Sequence, residues 1–234
     1  MLRLMKIEWQ RNHLAGYLIK AVVCTVIIFG LAAGMALMSN AQGEPMFADF
    51  TAFMSLANIF IRITFVVFSG IIISRLVIEE YKNKTIQLLF SYPLPRKKLI
   101  QAKLLLVLGF CFSSVVISTV CIEIMTVMLN PAVHFFETPA PWGEVLAAVP
   151  AVLTASAMTA GLSLIPLFFG MRKKSTATTI TSSVIIGTLL NATVSDGSSS
   201  VSMFQLIGVP IVFCVLGVAV AYLSYRNIDR KDVA

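Results

Sequence analysis

The sequence predicts an all-α membrane protein with six transmembrane helices. Three observations lead to this class: long apolar runs, few charged residues, and basic residues confined to alternate connections. The chain has 234 residues, of which 58% are hydrophobic and 12% are charged. Soluble domains carry about 25% charged residues, and a helix needs about 20 apolar residues to cross a bilayer. A membrane barrel is excluded, because its strands would alternate apolar and polar residues.

Six apolar segments are long enough to be read as membrane spans within a single domain covering 1–234. They lie at about 18–38, 53–78, 104–129, 144–169, 177–194 and 203–225. Pro150 and Pro166 predict kinks in the fourth span. In the same span, alanines at 147, 151 and 155 repeat every four residues, which favours tight helix contact. Gly30 and Gly34 have the spacing of a close helix contact, within one chain or between two chains.

The N-terminal segment 1–17 is mixed in polarity. Leu2, Met5 and Trp9 fall on one helical face, which predicts an interfacial helix along the inner leaflet. The alternative is an ordinary polar tail. A cleaved signal peptide is disfavoured, because a polar lead precedes an apolar run that is long enough for an uncleaved anchor.

The distribution of basic residues sets the predicted topology. Of 18 Lys and Arg residues, 17 lie in the N-terminus, the C-terminus, the connections after spans 2 and 4, or the adjoining span ends. Basic residues favour the cytoplasmic side of a membrane. We therefore predict a multi-pass protein of the cytoplasmic membrane with both termini in the cytoplasm.

Composition also argues against nucleic-acid, disulfide and metal sites. The formal charge of +7 is explained by basic span ends, so no nucleic-acid partner is predicted. The four cysteines all fall within apolar runs, where they behave as small apolar residues. Neither a disulfide framework nor a metal site is predicted.

The longest charged connection, 79–103, lies between spans 2 and 3. Within it Ile86, Leu89 and Phe90 share one face of a short helix, which Pro93 and Pro95 end. Such a helix suits a groove on a partner protein. The alternative is that its apolar face lies in the inner leaflet and its lysines contact lipid headgroups.

The segment EEYKNKTIQLLFSYPLPR at 79–96 resembles the type-2 exporter family of bacterial ABC transporter permeases. The six spans, the N-terminal helix and the chain length are similar too, so the resemblance covers the whole chain. One departure is Lys84, where members often have Gly. The resemblance implies a cytoplasmic coupling helix that docks on an ATPase, and it assigns that role to a set of residues. These are Glu79, Glu80, Thr85, Ile86, Leu89, Phe90 and Arg96.

The resemblance further implies how the protein would be energised. The chain contains no GxxxxGK[ST] motif for ATP phosphates and no acidic cluster for magnesium. ATP and magnesium would therefore bind to a partner ATPase, and this chain would be a transport subunit rather than an enzyme. The family implies a dimer of permeases with two ATPases that exports a drug, an antimicrobial peptide or a lipid, as in antibiotic resistance and lantibiotic immunity.

Arg62 and Glu123 are the ionisable residues well inside the predicted spans. Charges in the bilayer cost about 2.5–3.5 kcal/mol on insertion scales, so they face protein or water and tend to be functional. Counted from the cytoplasmic ends, their depths differ by about 6 Å. They are predicted to pair, closing an outer gate or joining two spans. The alternative is that each reaches the outer interface separately.

The fifth span is rich in Ser and Thr and includes Thr181 and Asn191. These side chains either line a polar pathway or serve helix packing and bond their own helix.

Two other functions stay open at this point. An ion-coupled carrier would need broken helices in repeat-related halves, and a sensor or assembly factor would need a larger extramembrane domain.

Overall fold

Apolar helices make up most of the described structure. The computed structural model describes residues 15–41, 47, 49–79, 96–133, 142–173, 175–191, 193–195, 200–202 and 208–226. The helices are α1 (Ala15–Ala41), α2 (Phe50–Ile73), α3 (Arg96–Val133), α4 (Trp142–Leu162), α5 (Pro166–Lys173), α6 (Thr176–Leu190) and α7 (Gly208–Arg226). The α2 helix continues as a π-helical turn over Ser74–Ile78.

Within the described residues, four helical segments are long and apolar enough to cross a membrane. They are Gly16–Asn40, Phe50–Ile78, Leu99–Asn130 and Ala148–Lys173. Two shorter apolar helices, Thr176–Leu190 and Gly208–Leu223, coincide with the last two predicted spans. The predicted helical membrane class is therefore confirmed, whereas the count of six spans stays a prediction. Most of the proposed interfacial helix and the coupling helix lie outside the described residues.

Two local predictions differ from the structure. The sequence of 170–174, GMRKK, predicts a basic turn, but α5 continues as a helix to Lys173. The Ser-rich sequence of 191–202 predicts a loop, but it contains a short antiparallel pair, β1 (Thr193–Ser195) and β2 (Ser200–Ser202). This pair is the β-structure within the described ranges.

The two prolines of the fourth predicted span behave differently. A three-residue turn at 163–165 separates α4 from α5, and Pro166 begins the new helix. Proline lacks the N–H that would continue the hydrogen-bond ladder, which explains the break. Helix α4 continues through Pro150 without interruption.

Helix α2 lies at the centre of the bundle, in contact with α1, α3 and α6. Its side chains Phe53, Ile61 and Phe65 are fully buried. A hydroxyl pair links α1 to α3, with Thr25 Oγ1 2.7 Å from Ser118 Oγ. The bundle is thus held by apolar packing around α2 and by an interhelical hydrogen bond.

Glycines mark close helix approaches in the second half of the chain. A Cβ at Gly217 of α7 would collide with the Gly161 carbonyl of α4. Ala151 is exposed and Ala155 half-buried, and both border a cavity. Gly30 and Gly34 have no heavy atom within 4 Å of a built Cβ, so they make no close contact with the described residues.

Candidate functional site

A cavity of about 680 Å³ lies between α2, α3 and α4, with Pro210 of α7 at its border. Residues spaced four apart on α2 line one wall, because such residues share a helix face. They are Phe50, Met54, Asn58 and Arg62. The same spacing on α3 provides a second wall. Its members are Val115, Thr119 and Glu123. Helix periodicity places each predicted intramembrane charge on the lining face of its own helix, and the packing of α2 against α3 brings both to one cavity.

Arg62 is bound to the end of α6. Its Nε donates to Asn191 Oδ1 at 3.0 Å, and Asn191 Nδ2 donates to the Gly187 carbonyl at 2.8 Å. Asn191 is the C-cap residue of α6 and is 8% exposed. The unpaired carbonyls at a helix C-terminus carry partial negative charge and favour a cation. The guanidinium is therefore stabilised by the cap of α6.

Glu123, unlike Arg62, is buried at the cavity without a recorded bond to another described residue. The residue is 4% exposed and borders the cavity. Within the described ranges the structure records no hydrogen bond or ion pair for its carboxylate. Its predicted ion pair with Arg62 stays a prediction, since the structure places both residues at one cavity and gives Arg62 a bond to Asn191.

Hydroxyl groups supply most of the other polar lining. Five of them donate to carbonyls of their own helix, namely the exposed Ser55 and Thr154 and three buried ones. Thr119 donates to Val115 at 2.9 Å, Ser156 to Val152 at 2.6 Å, and Thr159 to Ala155 at 2.7 Å. A hydroxyl has one donor and two acceptor sites, so these groups retain acceptor capacity for a ligand.

Thr181, the remaining predicted pathway residue, lies away from the cavity. Its side chain is exposed, and Oγ1 bonds the carbonyls of Ala177 at 3.0 Å and Thr178 at 3.1 Å. This is the arrangement expected of a hydroxyl satisfied by its own helix. Of the polar residues singled out in the fifth span, Asn191 contacts the site and Thr181 does not.

The predicted docking residues can be located only in part. Glu79 is exposed at the end of the π-helical turn, and Arg96 begins α3. The others lie outside the described residues. They are Glu80, Thr85, Ile86, Leu89 and Phe90.

Lys103 is the last residue of the charged 79–103 connection, but it is 2% exposed. Its Nζ donates to the Leu76 carbonyl, inside the π-helical turn, at 3.0 Å. A signal for this burial exists in the sequence. Lys103 shares a helix face with apolar residues at 99, 106, 107 and 110, all of which are buried. Lys103 thus joins α3 to the end of α2, on either side of the central connection.

A family model described as ABC-2 family transporter protein matches residues 4–191. The chain belongs to this family. This ABC-2 protein is 33% identical over 232 residues to uncharacterized protein YcbO of Bacillus subtilis (strain 168), with 99% of the chain and all of the relative covered. No solved structure matches.

Family membership settles the general class of the protein. ABC-2 proteins of this kind are membrane subunits of ABC transporters without an ATPase motif of their own, so an ATP-binding partner subunit is implied. The apolar helices agree with a multi-pass membrane protein. The resemblance to an ABC permease stated from the sequence is confirmed.

Proposed function

We propose that this ABC-2 permease exports a hydrophobic or amphipathic compound, with the cavity between α2, α3 and α4 as part of the pathway. The observation that supports this most is the placement of Arg62 and Glu123 in one cavity among apolar helices. Charged groups in the membrane are costly and belong to protein interiors or pathways. A drug, an antimicrobial peptide and a lipid are the proposed substrate classes, which connects the protein to antibiotic resistance and lantibiotic immunity.

The proposed assembly is a dimer of permeases with two ATPases in the cytoplasmic membrane. In it, α6 and α7 form the fifth and sixth spans, and both termini are cytoplasmic. Helix α6 has 15 residues. At 1.5 Å per residue its length is about 22 Å, shorter than the roughly 30 Å core, so local thinning or flanking segments would complete the span.

A reporter experiment tests this topology. A fusion to green fluorescent protein after residue 234 should be fluorescent, because that end is proposed to be cytoplasmic. An alkaline phosphatase fusion in the connection after α6 should be active. An inactive fusion there would contradict six spans.

The proposed docking element is the central connection. Ile86, Leu89 and Phe90 would fill a groove on the ATPase. Glu79, Glu80, Thr85 and Arg96 would contact the rim of this groove. The ATPase would bind ATP and magnesium. A short helix with one apolar face is suited to this mode of recognition.

Co-purification with the product of an adjacent ATPase gene tests the docking. Leu89→Asp and Phe90→Asp should each abolish the complex, because a carboxylate would be buried in an apolar groove. Leu88→Asp is the matched control, since position 88 lies opposite the Ile86/Leu89 face of the predicted helix. Retention of the complex and of ATPase stimulation in the Leu89 and Phe90 variants would refute the coupling role.

A further inference from the structure

We propose that the cavity binds amphipathic organic cations, with the Glu123 carboxylate as the counter-charge for a protonated amine. This inference rests on the proposed function and deepens it, because it names the chemical class that enters the pathway. The ligand would place an apolar body among α2, α3 and α4 and its ammonium group at Glu123.

The first argument is the burial of Glu123 at the cavity without a recorded partner. The residue is 4% exposed, borders the cavity and has no recorded partner within the described ranges. A buried charge without a partner is strongly unfavourable. The Glu123 oxygens are not among the fully buried polar atoms without a hydrogen bond in the described part of the chain, so they keep some accessible surface. A cation entering the cavity would supply the missing partner.

The Nε of Arg62 is directed to α6 in the structure. It bonds Asn191, and Asn191 is not among the residues that line the cavity. The C-terminus of α6 favours the guanidinium at that position. The two charges therefore lie on different walls, and the α3 wall carries the negative one.

The hydroxyl groups favour the same ligand class. Thr119, Ser156 and Thr159 donate to their own helices, so they present acceptor sites. An ammonium group has N–H donors and no acceptor. It can bond the carboxylate and the hydroxyls together, whereas an anion would meet acceptors on the α3 and α4 walls.

The size and remaining lining of the cavity suit an apolar body. Its volume of about 680 Å³ lies within the range of roughly 300–1,000 Å³ typical of small-molecule sites. Met54, Val115, Val152 and Met158 contribute apolar surface. Mostly apolar walls with a few placed polar groups are the usual composition of such sites.

Matched probes test the proposal: 6-phenylhexylamine, 6-phenylhexanol and 6-phenylhexanoate share one carbon skeleton and differ in charge. Binding to the purified full-length chain in nanodiscs of zwitterionic lipid is measured by equilibrium dialysis, with empty nanodiscs as the blank. We expect the amine to bind at least tenfold more tightly than the alcohol or the carboxylate. Equal affinity for the three probes would overturn the proposal.

Variants of Glu123 test whether this residue causes the binding preference for the amine. Glu123→Gln should reduce amine affinity to that of the alcohol and leave alcohol binding unchanged, which also shows that the variant is folded. Glu123→Asp should keep part of the amine preference and serves as the second variant if the Gln form does not fold. Asp229→Asn, in the C-terminal segment, is the matched removal of an acidic residue and should change nothing. An undiminished amine preference in Glu123→Gln, or its complete loss in a folded Glu123→Asp, would overturn the assignment.

The outcome is separable from that of the proposed function. Loss of the amine preference with an intact ATPase complex rejects the ligand class alone. Amine binding without an ATPase complex rejects the coupling alone.

Discussion

Arg62 on α2 and Asn191 at the end of α6 form a hydrogen bond of 3.0 Å across 129 residues of sequence. The same asparagine caps its own helix through the Gly187 carbonyl. A Cβ built on Gly187 lies 3.6 Å from the Ile63 Cα, so the two helices approach closely at this level. The bond therefore fixes the end of α6 against the charged wall of the cavity.

Asn191→Leu should destabilise the protein, because it removes the acceptor of Arg62 Nε and the donor to Gly187. Leaving buried polar groups without partners costs about 1–3 kcal/mol each. The free energy of unfolding of the purified protein, measured by denaturant titration in detergent, checks this.

Thr188→Val is the control for the asparagine variant. Thr188 lies on the same helix, is exposed and bonds the carbonyls of its own helix at 2.9 and 3.1 Å. We expect its change in stability to stay within about 0.5 kcal/mol, as for ordinary surface positions. Equal effects of the two substitutions would contradict a specific role for Asn191.

Gly217→Ala should weaken the packing of α7 on α4. The added methyl group would collide with the Gly161 carbonyl, a backbone atom that cannot rotate away. Overpacking of this kind costs about 1–3 kcal/mol. Thermal unfolding in detergent measures the effect.

Gly30→Ala is the matched control for the α7 variant, because nothing lies within 4 Å of its built Cβ. It makes the same chemical change in a helix and should not lower the unfolding temperature. A decrease in Gly30→Ala as large as in Gly217→Ala would show that the predicted difference in packing is wrong.

The helical class followed from the sequence because apolar run length is a direct physical requirement of the bilayer. The helix rise per residue also predicted comparable depths for Arg62 and Glu123, and the structure places both at one cavity. The partner of Arg62 could not be predicted, because it depends on where α6 ends and how closely α6 approaches α2. The distance between α6 and α2 cannot be read from the sequence.

Two other features also depend on tertiary packing that charge and composition do not reveal. Thr181 and Asn191 belong to the same polar segment. The orientation of α6 in the bundle leaves the Thr181 hydroxyl exposed and places Asn191 in contact with Arg62. By charge alone, Lys103 belongs with the basic residues of the 79–103 connection. The buried apolar residues around it, one helical turn away on either side, were the signal for an interior lysine.

Lys103→Ala should destabilise the junction of α2 and α3. It removes the donor to the Leu76 carbonyl and leaves a cavity where a fully buried side chain had been. Truncations of large buried side chains cost about 2–5 kcal/mol. Lys103→Met keeps most of the volume, so its loss should be clearly smaller in the same chemical unfolding experiment.

Lys173→Ala is the control for the lysine series, because Lys173 is exposed at the end of α5. Its removal should leave stability within about 0.5 kcal/mol of the wild type. If Lys103→Ala were as mild as Lys173→Ala, the burial of Lys103 would not contribute to the stability of the junction.

The charge swap Arg62→Glu with Glu123→Arg distinguishes an ion-pair gate from a ligand counter-charge. A gate that depends only on the pair should regain transport in the double variant. We expect transport to stay as low as in Arg62→Glu alone, for two reasons. A carboxylate at position 62 would face the negative end of α6, and an arginine at position 123 would repel a cation in the cavity. Efflux of 6-phenylhexylamine from proteoliposomes containing the permease and its ATPase is the measurement. Recovery of half the wild-type rate or more would establish the ion pair and remove Glu123 from the ligand site.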